Sequence, residues 1–213
     1  MRNCFFNMLG KGTKMLRMFL IFSFSQCLIS LTSCSEADDT VEEFADWQSK
    51  NETYFEQKYQ EYIAAQTATK FVLRSWTQSE LSPLSDIEHT KCILVDVISS
   101  GTETTSPFYD DQVAVHYTGR LISSPNYPKG YSFDYSYMGD FDPAVSHPTE
   151  LSVDGVVEGL STALQRMHRG DYWRVTIPYQ LGYGSSGRSA IPGYSTLIFD
   201  VRLVDFWNDD DDD

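Results

Sequence analysis

Two stretches of alternating hydrophobicity limit what this chain can become. In Val113 to Tyr117 the residues Val113, Val115 and Tyr117 share one face, and Thr196 to Leu203 reads T-L-I-F-D-V-R-L with Phe199 in the same kind of pattern. Period-two patterning buries one side of an extended strand and gives a helix no continuous apolar face. Further strands are read at Cys92 to Ile98, Thr149 to Val153 and Asp171 to Ile177, and the two alternating stretches extend to Gln112–Leu121 and Ser195–Phe206. A single short helix is expected between them, from Val157 to His168, with His168 and Arg169 as cations in its last turn and Gly170 as its stop. One short helix among several strands with turn-rich loops predicts an α+β fold, a twisted antiparallel sheet wrapping that helix.

The spacing divides the 213 residues into five parts. Residues 90–207 have the usual size of one domain with one core. Residues 41–89 form a helical extension, in which Phe44, Trp47, Tyr54, Phe55, Tyr59, Tyr62 and Ile63 recur at three- and four-residue intervals from Val41 to Ala68. Such an amphipathic aromatic stripe has to be covered, either by the chain's own domain or by a second copy in a homodimer. Ser79 to Pro83 breaks the pattern and marks a boundary. Residues 208–213 are an acidic tail that reads as a solvated run; a divalent-cation site there is disfavoured because a flexible run offers no fixed coordination.

The first 33 residues read as a targeting segment. Lys11, Lys14 and Arg17 precede the apolar stretch Met18 to Leu31, too short and too near the terminus for a membrane span, and the stretch ends in Leu31-Thr32-Ser33-Cys34. That ending resembles the lipobox of bacterial lipoproteins. The resemblance implies cleavage before Cys34, lipidation of its thiol and anchoring to a membrane by acyl chains; the alternatives are an ordinary cleaved signal or an uncleaved anchor. Residues 34–40 then form an acidic tether. Its Glu36, Asp38 and Asp39 resemble the signal that carries lipoproteins of Bacteroidetes-like bacteria to the outer face of the outer membrane, with a plain solvated tether as the alternative reading. An outer-membrane, lipid-anchored protein facing the periplasm or the cell surface is expected.

Charge and cysteine usage narrow the partners. The net charge of −14 becomes −18 once the segment 1–33 is removed, because that segment holds four cations and no acid. Nucleic acid is therefore excluded as a partner. Cys4 and Cys27 leave with the signal and Cys34 is lipidated, so Cys92 alone remains and no internal disulfide is expected. In the strand C-I-L-V it reads as a buried small hydrophobe. Metal-ligand spacing is absent, and neither metal nor cofactor is expected.

Six short motifs follow one another through the main domain: V-A-V-H-Y-T-G (Val113 to Gly119), F-D (Phe133, Asp134), V-V-E-G-L (Val156 to Leu160), G-Y-G (Gly182 to Gly184), I-P (Ile191, Pro192) and T-L-I-F-D-V-R-L. In order and spacing they resemble the FKBP-type peptidyl-prolyl cis/trans isomerases. Read on pattern alone, Tyr117 and Phe199 are core residues, Asp134 belongs to a turn and the two glycines flank a tight turn. The resemblance gives them roles. It implies an apolar pocket of Tyr117, Phe133, Val156, Val157, Leu160, Ile191 and Phe199, with Asp134 and Tyr183 as its polar members. The catalytic roles fall to Phe133, Asp134 and Tyr183. The Val157 backbone N–H and the Tyr183 hydroxyl would hold substrate carbonyls, and Asp134 would shape the field beside the twisting amide. The substrates implied are X-Pro bonds of proline-containing polypeptides folding outside the cytoplasm. Two other roles stay open: a weak or inactive peptide-binding or chaperone module of the same fold, and an accessory subunit of an envelope assembly.

Rotation about an X-Pro bond crosses roughly 18–20 kcal/mol because amide resonance must be lost. An apolar cup that strips water from the planar, charge-separated amide favours the twisted form. The sequence departs from the family pattern in three places. Leu160 replaces the large indole at the pocket floor, Thr149 stands where a pocket aromatic is common, and Tyr135 to His147 contains no arginine or lysine to pair with Asp134. Hydroxyls such as those of Tyr135 or Tyr137 are expected to hold that carboxylate instead. The longer segment Ile122 to Ser132 is expected to form a lip of the binding face. His116, on the face opposite Tyr117 and without a nucleophile or acid at a recognisable spacing, is read as having no chemical role.

Overall fold

The computed structural model describes residues 42–208. Cys34, the acidic tether and the terminal Asp209 to Asp213 run lie outside the described residues. The described chain runs α1 (Trp47–Ala64), β1 (Lys70–Arg74), β2 (Cys92–Ser99), β3 (Gln112–Arg120), β4 (Ser132–Tyr135), β5 (Thr149–Ser152), α2 (Glu158–Leu164), β6 (Tyr172–Ile177) and β7 (Leu197–Trp207). The strands form one antiparallel sheet in the order β1-β2-β6-β7-β3-β4, with β5 also pairing with β3. This is the expected α+β architecture, a sheet around one short helix, with a longer helix before it.

β4 and β5 share one edge of β3, the first against Thr118 to Arg120 and the second against Gln112 to Val115. The chain between them, residues 136–148, leaves and rejoins the same strand. Asp134 is therefore fixed opposite Gly119, and Phe133 falls at the register shift between Gly119 and Arg120.

Two corrections to the sequence reading matter for the site. Residues 41–89 are not helix alone, because Lys70–Arg74 is a strand paired with β2 over its whole length. K-F-V-L-R is too short to show a period of its own beside a long helical pattern. Ser132–Tyr135 is a second unforeseen strand, short and largely exposed. Both expected helices are also shortened. α1 starts at Trp47, after Asp46 in a left-handed conformation (φ 53°), and α2 stops at Leu164, where Met167 N–H is shared between the Ala163 and Leu164 carbonyls and the last turn tightens.

β2 explains how the two helices are accommodated. Its first four residues are all buried: Ile93 and Val95 join the main core with α2, whereas Cys92 and Leu94 join Phe55, Tyr62 and Val72 under α1. A strand covered on both faces reads as a continuous apolar run, which C-I-L-V is. Burial pushes the Cys92 thiol up to about 11, so it stays a neutral hydrophobe at physiological pH. On the other side, α2 approaches β6 so closely that a Cβ at Gly159 would lie 2.3 Å from Ile177 Cγ2. Glycine is required there for the helix to seat.

The aromatic stripe of α1 is buried against its own chain. Trp47, Phe55 and Tyr62 are all under a tenth exposed, and the Tyr62 hydroxyl donates to Asp96 on β2 at 2.5 Å. Asn51 lies on the same line, completely buried, and no apolar periodicity could have singled it out. Ile63 is the exception, at 40% exposed.

Candidate active site

All nine pocket residues expected from the sequence line one cavity of about 590 Å³. Tyr117 comes from β3, Phe133 and Asp134 from β4, Phe199 from β7, Leu160 from α2 with Val156 and Val157 just before it, and Tyr183 and Ile191 from the long loop between β6 and β7. Strand alternation explains the first group: Tyr117 and Gly119 share a face of β3, and Phe199 pairs directly with Gly119 from β7.

Gly119 lets the aromatic wall close. A Cβ there would stand 2.6 Å from Phe133 and 2.8 Å from Phe199, so a side chain at this position would push both rings away. Without it, Phe133 meets Phe199 edge to face at 5.6 Å, and Phe199 lies 6.3 Å from the Tyr117 ring.

The carboxylate of Asp134 is held by one hydroxyl and one backbone group. Its Oδ2 accepts the Tyr117 hydroxyl at 3.0 Å and its Oδ1 accepts the Tyr135 N–H at 2.9 Å. A tyrosine does replace the missing arginine, but it is Tyr117 and not Tyr135 or Tyr137. Tyr135 contributes its amide, and the Tyr137 ring packs with Phe141 on the other side of the sheet edge. Burial first, and then the bond to Asp134, push the Tyr117 hydroxyl well above its ordinary value, so it remains a donor throughout the physiological range.

The floor and far wall differ from the expected pattern in one further respect. Leu160, 5% exposed, lines the cup from α2. Leu151 rather than Thr149 supplies the β5 side of the cup. Sequence reasoning also missed Gly155, Arg188, Ser189 and Ala190 at the rim. The Arg188 guanidinium lies 5.6 Å from the Tyr183 ring centre.

The loop that carries Tyr183 and Ile191 is held in shape from α1. Arg188 and Ile191 exchange backbone bonds at 2.9 Å around Ser189, which takes a left-handed φ of 53°. Behind this turn, the Trp47 indole N–H donates to Ser195 Oγ at 2.8 Å, and Ser195 Oγ donates to the Pro192 carbonyl at 2.6 Å. Asn51 Oδ1 accepts the Thr196 N–H at 2.7 Å, while Asn51 Nδ2 donates to the Trp47 carbonyl at 2.7 Å. The supposed extension thus braces one wall of the cup. α2 is tied down from the same part of the chain, since Glu158 accepts hydrogen bonds from Ser75 and, at 2.7 Å, from Thr77.

His116 stays out of the cup, on the opposite face of β3. Its ring packs on Phe141 at 4.9 Å, and burial, followed by the nearby Arg202 and His147, holds it below its ordinary pKa. It is a neutral packing residue at physiological pH.

The site is an open cup walled by the Tyr117, Phe133 and Phe199 rings, with Asp134, Tyr183 and Arg188 among its polar lining. Residues 103–204 match the family of FKBP-type peptidyl-prolyl cis-trans isomerases. It is 42% identical over 110 residues to the FKBP-type 22 kDa peptidyl-prolyl cis-trans isomerase of Escherichia coli, covering 51% of this chain and 47% of the relative. It is 41% identical over 108 residues to the macrophage infectivity potentiator of Trypanosoma cruzi, covering 50% and 49%. Among solved structures, FkpA from Escherichia coli superposes with a TM-score of 0.54 at 27% identity, over 78% of this chain and 63% of that one. The chain spans about half the length of the curated relatives it matches.

Proposed function

We propose that the chain catalyses cis/trans isomerisation of X-Pro bonds in polypeptides that fold outside the cytoplasm. The observation that carries this reading is the convergence of Tyr117, Phe133, Leu160, Ile191 and Phe199 on one cup with Asp134 and Tyr183 at its rim. The proline ring would enter between the aromatic walls. Desolvation there destabilises the planar amide, and the Tyr183 hydroxyl and Val157 N–H would steady the flanking carbonyls. Asp134, fixed by Tyr117, would place negative charge beside the bond that twists. No covalent step is needed, and none of these groups has to change its protonation state.

A protease-coupled or NMR exchange assay on a proline-containing tetrapeptide tests the reading. Tyr183→Phe should lower kcat/KM by roughly tenfold, the usual worth of one hydrogen bond of about 1.4 kcal/mol made in the transition state, with little change in unfolding midpoint. Wild-type turnover in that variant removes the role given to Tyr183. Because Leu160 makes the floor shallower than an indole would, a binding module without catalysis is the second reading. It would show peptide affinity and no acceleration in the wild-type protein.

The reading includes a lipid anchor at Cys34 that holds the domain at the outer membrane, on the periplasmic side or at the cell surface. Support comes from the sequence around Leu31 to Cys34 and from the acids that follow. Cys34→Ser should move the protein from the membrane fraction to the soluble fraction or leave an uncleaved precursor. Acyl chains contribute about 0.8 kcal/mol per buried CH₂, so the wild type should stay in the membrane fraction at high salt. Recovery of wild-type protein that is soluble and free of lipid ends this part of the reading and leaves the isomerase unaffected. A homodimer through α1 would have to form without Trp47, Phe55 and Tyr62, which the chain buries itself.

A further inference from the structure

A second cavity, of about 340 Å³, adjoins the cup. It is lined by Phe44 from the segment before α1, by Tyr127, Tyr131 and Asn126 from the long β3–β4 connection, and by Glu43 and Ala190. Ala190 also lines the cup, so the two cavities share one wall. Tyr127 and Tyr131 meet edge to face at 5.0 Å, and Phe44 packs edge to face on Trp47 at 4.9 Å. Glu43 ties the two sides together, accepting hydrogen bonds from Ser124 and from the Asn126 amide and side chain. The expected lip is thus clamped to the N-terminal segment, and three aromatic side chains line the hollow between them.

We propose that this hollow is a second subsite for the client, taking one large aromatic or aliphatic side chain of the same polypeptide whose proline occupies the cup. The proposal rests on the isomerase reading and extends it to client choice. Continuity through Ala190 argues for the client as occupant, since a chain leaving the cup across that residue passes directly over the second hollow. The chemistry of the lining argues for the kind of side chain. Ring faces and edges reward apolar contact, and the Glu43 carboxylate is held in place by Ser124 and Asn126. Phe44 comes from outside the segment that matches the family, so this preference belongs to the chain and not to the cup.

A peptide series tests it. Each peptide carries one proline, with Phe placed at successive positions on either side and Ala elsewhere; because an extended chain advances roughly 3.3–3.6 Å per residue, a few positions scan the distance to the hollow. For the wild-type protein, one position should raise kcat/KM about fivefold over the all-Ala peptide, as expected for aromatic contacts of this kind. Tyr127→Ala, at a residue 41% exposed and safe to truncate, should abolish that gain, and Phe44→Ala should do the same. The all-Ala peptide gives the reference rate within each variant. A gain that is absent at every position, or that survives both substitutions, overturns the subsite while the isomerase stands. Failure of the wild type to accelerate any peptide overturns the isomerase reading and the subsite with it. Loss of the gain in wild-type protein as its concentration rises would show a second copy in the hollow and also overturns the proposal.

Discussion

Phe133→Ala should weaken peptide binding and turnover together, by roughly ten- to a hundredfold in kcat/KM, while the domain remains folded. The ring stands on the short strand β4, partly buried, and contributes to the cup chiefly through its edge-to-face contact with Phe199. Removing it opens one wall to water. A large apolar side chain is worth about 1.5–3 kcal/mol of burial to whatever packs on it, and that sum is lost from bound peptide and transition state alike. Stability should fall by much less than for a core truncation, because the space vacated opens to solvent and no closed cavity remains. Peptide affinity by titration and rates by exchange spectroscopy check both halves. An unchanged affinity would remove Phe133 from the site, and a collapse of the fold would make it a core residue.

Asn51→Leu should destabilise the protein by about 1–3 kcal/mol and lower turnover, although Asn51 does not line the cup. The substitution keeps the branched heavy-atom skeleton and removes the acceptor of the Thr196 N–H and the donor to the Trp47 carbonyl. Thr196 is buried, and an orphaned buried N–H costs about 1–3 kcal/mol. The Trp47 carbonyl loses only its side-chain donor and keeps the helical bond from the residue-51 N–H, so little is added there. The effect should reach the cup because the same helix turn holds Ser195 and, through it, the Pro192 carbonyl beside Ile191. Denaturant unfolding measures the first effect. For the second, kcat/KM per folded molecule of Asn51→Leu should be compared with that of Tyr62→Phe, which loses a bond to β2 away from the cup. Equal kcat/KM in the two would reduce Asn51 to a structural residue, whereas a specific loss in Asn51→Leu makes it a positioning residue for the loop.

The contrast between these residues shows what kind of information each level held. Phe133 was legible because it belongs to a short motif whose order along the chain is fixed. Asn51 was not, because a polar residue inside an apolar stripe looks like a break in the stripe until its partner, 145 positions away, is known. The partner of Asp134 is a case between. The missing basic residue was visible, and so was the need for hydroxyls, yet neighbours in sequence were the wrong place to look. Alternate residues of a strand point to opposite faces, so the side chain of Tyr135 leaves the one face on which Asp134 needs help. The pairing of Asp134 with Gly119 makes Tyr117 its diagonal neighbour across the ladder, within reach of a long side chain.

The nine residues of the cup were pointed to only by the resemblance that the order of six motifs carries; periodicity by itself determined the class of fold, the central strands and the presence of one short helix in the sheet. These are properties of local pattern, and burial on one face enforces them wherever the strand is placed. Tertiary structure alone decided the rest. It joined the N-terminal helix and β1 to the sheet, chose Leu151 over Thr149 and Tyr117 over Tyr135, and set Phe44 beside Tyr127. Each of these depends on strand register or on a contact between distant segments, and neither is encoded in the spacing of residues along one stretch of chain.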